Sequence, residues 1–183
     1  TQGVSSAASD VYKRQLRDRG TPQVIVSGIT PSGEFHIGHL REILTAEMIH
    51  RACLDAGLES RYVFIVDSMD PLRRVYDFLS EEYEQFIGVP LAYIPAPNTD
   101  GTPSNGETSY AEYFLKPFLE ALKEIGVFPE IVMNHETYES GQFSEKIDLA
   151  IRKREEIREI IMRVSGRELP HDWFPYSLSL IHI

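Results

Sequence analysis

The stretch Ser27-Gly28-Ile29-Thr30-Pro31-Ser32-Gly33-Glu34-Phe35-His36-Ile37-Gly38-His39-Leu40 joins a strand to a helix. Upstream, QVIVSGI at 23–29 is a short apolar run stopped by Pro31 and Gly33, which favour a turn, and it reads as a buried parallel strand. Downstream, His36 to Ala56 places Ile37, Leu40, Ile43, Leu44 and Met48 at helical spacing, with Gly57 as the stop. Arg61 to Val66 then returns to strand character. Strand, long helix and strand make a βαβ unit, whose crossover is right-handed in nearly all sheets. Such a junction leaves backbone N–H groups free at the positive end of the helix, which suits a phosphate. His36 and His39, three apart, share one side of the first turn, and Gly38 lets a ligand approach the backbone.

Beyond Asp67, Asp70-Pro71-Leu72-Arg73-Arg74 has turn character, and Ser80-Glu81-Glu82-Tyr83 begins a short helix ending at Gly88. Ile94 to Gly106 is rich in Pro, Asn, Thr and Gly and reads as a loop. Ser109 and Glu112 have capping-box spacing ahead of Phe114, Phe118, Leu122 and Ile125, with Pro117 as a kink and Gly126 as the stop. Glu130 to Met133 is a further short strand. Ser144 to Val164 reads as one long helix with Ile147, Ile151, Ile157, Ile160, Ile161 and Val164 inward. Alternating strands and helices give the expected fold class: α/β, a Rossmann-like nucleotide-binding domain with a central, mainly parallel sheet flanked by helices.

The 183 residues suffice for one ordinary domain, and 28 acidic against 18 basic side chains leave a net charge of −10. That argues against gripping nucleic acid by bulk positive charge and gives no reason to expect a specific DNA partner. The first twenty residues are net basic, so the body is more acidic than the total. A single cysteine, Cys53, excludes an internal disulfide and an all-thiolate metal site within this chain, and points to a reducing, cytoplasmic setting. No apolar run has the length of a membrane span or signal peptide, so no membrane partner is expected. Residues 1–22 read as a disordered lead or a foreign scar, 23–176 as the ordered core, and 177–183 as a tail of doubtful origin.

Two readings of the histidine pair stand side by side. In an adenylyl transfer, imidazoles beside the α- and β-phosphates donate hydrogen bonds as charge builds on the transferring oxygens. Alternatively the rings cap the helix or bind a metal, although this spacing supplies at most two ligands, and no metal site is predicted. The glycine spacing departs from both the GxGxxG and the GxxxxGK phosphate patterns. Asp67 and Asp70, at the end of the second strand, either orient a substrate or cap the loop and start the turn before Pro71. Arg73 and Arg74 either reach phosphate or face solvent. His135 touches a nucleotide or merely ends a strand. Lys153, Arg154, Arg158, Arg163 and Arg167 contact RNA or form a solvent face with the interleaved Glu155, Glu156 and Glu159.

The segment SGITPSGEFHIGHLREILTAEMI resembles the nucleotide-binding turn of class I aminoacyl-tRNA synthetases, and most closely the archaeal-type lysyl-tRNA synthetases. Tyr62 to Asp67, Asp70-Pro71-Leu72-Arg73, Phe86 to Leu91, Ser109 to Phe114 and Ser165 to Pro170 resemble successive blocks of that family, so the likeness covers about residues 23–176. The resemblance implies ATP-dependent activation of lysine and its transfer to tRNA(Lys). It implies His36 and His39 as catalytic residues, His36, Gly38 and His39 as the ATP site, and Gly28 and Thr30 as the lysine site. Asp67, Asp70, Tyr110 and Glu112 become further substrate contacts. For Glu112 the plainer alternative is completion of the Ser109 cap, with Tyr110 packing the helix. Mg2+ is expected with ATP, and zinc only in a part of the parent not seen here. Neither a lysine-rich KMSKS-like loop nor cysteine pairs are present, so the chain is expected to be an N-terminal catalytic fragment, weakly active or inactive alone, that meets tRNA through its full-length parent. The rival readings are another nucleotidyltransferase of the same superfamily and a noncatalytic nucleotide- or RNA-binding paralogue.

Overall fold

A computed structural model describes residues 22–175 together with Val11, Arg14, Gln15, Arg17 and Asp18, which are helical and exposed. The rest of the expected lead, and the expected tail at 177–183, lie outside the described residues. Three parallel strands, β1 (Gln23–Ile29), β2 (Ser60–Val66) and β3 (Glu130–Met133), form a sheet in the order β1-β2-β3. Helix α1 (Ile37–Asp55) links β1 to β2, and α2 (Tyr110–Glu124) precedes β3. Two 3-10 turns, Glu81–Phe86 and Leu91–Tyr93, lie between β2 and α2. The expected α/β architecture with a parallel sheet and flanking helices is therefore present.

Side chains divide the first compact unit, Thr1–Asn134, into two adjoining cores. Ile43 and Ala46 of α1 meet Tyr62, Phe64 and Val66 of β2 and Leu115, Phe118 and Leu122 of α2. The N-terminal half of α2 gives Tyr110, Ala111 and Phe114 to a second cluster with Leu72, Leu79, Tyr83, Leu91 and Ile94. Helix α2 thus ties the sheet to the segment that follows β2. Its start is fixed by a reciprocal cap, with Ser109 Oγ accepting from Glu112 N–H at 3.2 Å and Glu112 Oε2 accepting from Ser109 N–H at 3.0 Å. The helix runs through Pro117, which forgoes one backbone bond.

Several expectations need correction. β1 is parallel but, among the described residues, an edge of the sheet, and Val24 and Val26 are each 53% exposed rather than buried. In α1 the buried stripe is Ile43, Ala46, Glu47 and Cys53, whereas Ile37, Leu44 and Met48 fall on another stripe and are exposed. The buried Glu47 is paired with Arg51 Nε at 2.6 Å, and the same guanidinium donates to the Gly126 carbonyl at 2.8 Å.

The second unit, His135–Ile183, holds α3 (Asn134–Glu139, which begins one residue earlier), α4 (Ser144–Arg152) and α5 (Arg154–Ser165). The single long helix expected at 144–164 is broken at Lys153, whose ψ of 14° turns the chain between α4 and α5. Of its predicted inward residues, Ile147, Ile157 and Ile161 are half-buried, while Ile151, Ile160 and Val164 are exposed. Gly166 closes α5 at φ 68°, a left-handed position that favours glycine. Among the described residues, no helix is long and apolar enough to cross a membrane.

Candidate active site at the histidine turn

Parallel pairing sets Ile29 beside Val66, so the C-terminal ends of β1 and β2 open side by side, where α/β sheets gather ligand groups. The turn from Thr30 to Phe35 crosses this edge and enters α1 at His36. Both histidines form the helix cap. Gly38 N–H donates to His36 Nδ1 at 3.0 Å, and His36 N–H donates to His39 Nδ1 at 3.0 Å. This is a capping box built from imidazoles, and the rings lie 4.0 Å apart.

The cap has a chemical consequence. An Nδ1 that accepts a backbone N–H carries no proton, so each ring holds its proton on Nε2. Capping and phosphate donation, rivals in the sequence, are therefore compatible: one nitrogen of each ring holds the turn and the other is a donor. Burial first, and then the neighbouring His36, hold His39 below the ordinary histidine range, consistent with a neutral ring. A histidine with a lowered folded-state pKa stabilises the fold fully above its unfolded value, about 6.5. That contribution is lost as pH falls through the lowered folded value. The midpoint of thermal unfolding should drop more steeply on acidification below pH about 6.5 in the wild type than in His39→Gln. Parallel curves would show that His39 titration does not couple to folding.

Both histidines and Thr30 line one cleft of about 590 Å³, whose other wall carries Tyr76, Phe78, Asn98 and Thr99. On the opposite side of the turn, Ser27, Gly38, Arg41 and Glu42 line a groove of about 440 Å³ along the β1 edge. Gly28 N–H donates to Glu42 Oε1 at 3.0 Å across that edge. Glu42 was not singled out from the sequence; its position six residues beyond His36, on the next turns of the same helix, was the available signal.

Thr30 and Asp70, forty residues apart, meet: Thr30 Oγ1 donates to Asp70 Oδ2 at 2.9 Å, and Arg73 donates to the same oxygen at 3.2 Å. Asp67 Oδ1 accepts from Asn134 Nδ2 at 2.9 Å. Of the residues the sequence nominated, Thr30, His36 and His39 line the cleft and Gly38 lines the groove on the β1 edge, whereas Gly28, Asp67, Asp70, Tyr110 and Glu112 line neither. Glu112 is engaged in the Ser109 cap, the plainer of its two readings. Tyr110 is fully buried, and its hydroxyl donates to the Ser32 carbonyl at 2.8 Å. Burial, reinforced by Tyr76 and Tyr83, raises its pKa far above the ordinary tyrosine range, so it remains a donor. It acts on the turn from behind. Tyr110→Phe keeps the ring but strips a partner from Ser32, and should cost about 1–2 kcal/mol in denaturant unfolding. An unchanged midpoint would remove the tie from the account.

In the second unit His135 is half-buried in α3. Lys153 pairs with Glu156, and Arg154 with Glu155. Arg158 donates to the carbonyls of Leu169 and Pro170, so it braces the segment after α5. Among the described residues, no three His, Cys, Asp or Glu side chains gather as a metal site.

Comparison with known proteins gives one consistent answer. Residues 2–180 match the family described as tRNA synthetases class I (K). The lysine–tRNA ligase of Archaeoglobus fulgidus is 44% identical over 168 residues, 92% of this chain and 33% of that protein. Lysine–tRNA ligase 1 of Methanosarcina acetivorans is 41% identical over 169 residues, covering 92% and 31% respectively. The Methanocaldococcus jannaschii ligase is 43% identical over 172 residues, covering 93% and 31%. The chain thus spans about a third of the length of the curated relatives it matches.

Proposed function

Because the chain belongs to the class I tRNA synthetases of the K type, we propose that it is the nucleotide-binding catalytic part of an enzyme that activates lysine with ATP and charges tRNA(Lys). The observation that carries this reading is the imidazole cap, which leaves two Nε2–H donors at the N-terminus of α1 beside a cleft. A lysine carboxylate oxygen attacks the α-phosphorus of ATP. A carboxyl–phosphate bond forms, the bond to the β-phosphate breaks, and pyrophosphate leaves with the electron pair. Negative charge grows on the phosphate oxygens, where the Nε2–H groups of His36 and His39 and the positive end of α1 stabilise it. Neither histidine need accept a proton, which fits rings whose Nδ1 atoms are engaged in the cap. A terminal ribose hydroxyl of the tRNA then attacks the carbonyl carbon of the lysyl-adenylate. An ester bond forms, the bond from that carbon to the phosphate oxygen breaks, AMP departs with the electron pair, and the hydroxyl proton passes to a phosphate oxygen of the departing AMP.

Gly28 and Thr30, on the strand end facing the turn, are assigned to lysine, with Asp70 holding the Thr30 hydroxyl. Mg2+ arrives on the ATP phosphates. A cytoplasmic setting follows from the substrates. The test is exchange of labelled pyrophosphate into ATP by the full-length protein, with and without tRNA, across the twenty amino acids. Lysine alone should drive it. Exchange driven by a different acceptor would point to another nucleotidyltransferase, and none under any condition to a noncatalytic protein.

A further inference from the structure

One wall of the cleft carries an aromatic stack that the chemistry at the histidines does not use. Phe78 is 48% exposed, yet its ring is held on three sides. Tyr76 lies parallel to it at 5.6 Å with 2° between planes, and Phe114 meets it edge-on at 5.6 Å. The third support is the catalytic turn itself, since a Cβ added at Gly33 would come within 3.3 Å of Phe78 Cζ. Beyond Tyr76 the Arg74 guanidinium lies 5.2 Å from that ring's centroid. From the turn outward the order is therefore Gly33, Phe78, Tyr76, Arg74. The exposed Asn98 and Thr99 line the same cleft.

A fixed, half-exposed ring continuing into a second ring and then a cation is the arrangement that holds unpaired bases. The stack starts at the turn and ends at a positive charge, in a chain of net charge −10. A triphosphate gripped at the histidines needs no cation at the far end, whereas a phosphodiester strand entering the cleft does. We propose that Phe78 receives an unpaired base at the 3′ end of the RNA acceptor, with Arg74 near the incoming backbone, so that the terminal ribose is presented to the histidine turn. This rests on the reading of the chain as part of a tRNA-charging enzyme.

The test uses the full-length protein and tRNA(Lys) carrying 2-aminopurine as its 3′-terminal base, a fluorophore that stacking quenches. Binding is followed separately by anisotropy. Wild type and Phe78→Tyr should quench. Phe78→Leu should lose most of the quench while tRNA affinity falls by about 5- to 150-fold, the scale of one stacked base. Arg74→Gln, an exposed change that spares the core, should weaken the quench. A quench that survives in both Phe78→Leu and Arg74→Gln overturns the proposal. So does a raised KM for ATP in Phe78→Leu with the quench intact, which would assign the ring to the base of ATP. A protein that binds no tRNA overturns the proposed function as well; one that binds without quenching overturns this inference alone.

Discussion

On the proposed function, replacing His36 with serine in the full-length protein should slow lysyl-adenylate formation by about 10²–10³-fold, the usual effect of losing one donor aimed at developing oxyanion charge. The fold should barely change. Serine is among the best N-caps, so its hydroxyl can take the Gly38 N–H that His36 Nδ1 now accepts, and stability should stay within about 0.5 kcal/mol. His39→Gln is the matching change at the other ring, because a glutamine at this position can accept the His36 N–H and complete the box. It too should leave the melting point near that of the wild type and cut the rate. Alanine at His36 confounds the two roles: it removes the donor and the cap together, and should cost about 1 kcal/mol besides the rate. The decisive measurement is single-turnover adenylate formation beside thermal unfolding, for serine and alanine in parallel. If His36→Ser keeps the wild-type rate, the imidazole is a cap and nothing more. On the proposed function both rings serve one transition state, so the double variant should lose less than the product of the single losses.

The sequence carried those features that depend on near neighbours. The bounds of β1, α1 and β3 follow from apolar runs cut by Pro31, Gly33, Gly57 and Gly126, and the Ser109–Glu112 cap follows from a three-residue spacing. Contacts that fold distant segments together left no such trace. Tyr110 reaches Ser32 across 78 residues, and Thr30 reaches Asp70 across 40. Nothing in the local pattern around Tyr110 marks it as a brace for the histidine turn. Burial in α1 is not legible in the sequence for a related reason. Periodicity shows that α1 has apolar positions, but Ile37 and Met48 belong to a stripe that meets no partner among the described residues, and only the sheet decides which stripe is covered. At the site, residue types were legible while their division of labour was not. Whether an imidazole caps or donates depends on which nitrogen faces the backbone, and here one nitrogen of each ring is engaged by it.

Gly38→Ala should lose activity to about the same extent as His36→Ser while changing stability very little, and the reason differs from the one its place in the sequence suggests. The backbone at Gly38 is not in the left-handed region, so alanine is allowed there and, by helix propensity alone, should gain about 0.8–1 kcal/mol. A Cβ at this position, however, would sit 2.7 Å from His36 Cε1 and 2.9 Å from His36 Nδ1. The ring must move, the Gly38 N–H loses its acceptor, and the cap's contribution of about 1 kcal/mol offsets the propensity gain. Glycine is needed because the histidine of the same turn occupies the space a methyl group would take. A double-mutant cycle separates this from the alternative that Gly38 keeps the backbone open to a ligand. Serine at 36 has no ring to collide with, so adding Gly38→Ala to His36→Ser should raise stability by about 0.8 kcal/mol and leave the residual rate unchanged. A further fall in rate in that background would mean that the ligand, not His36, fills the space beside Gly38.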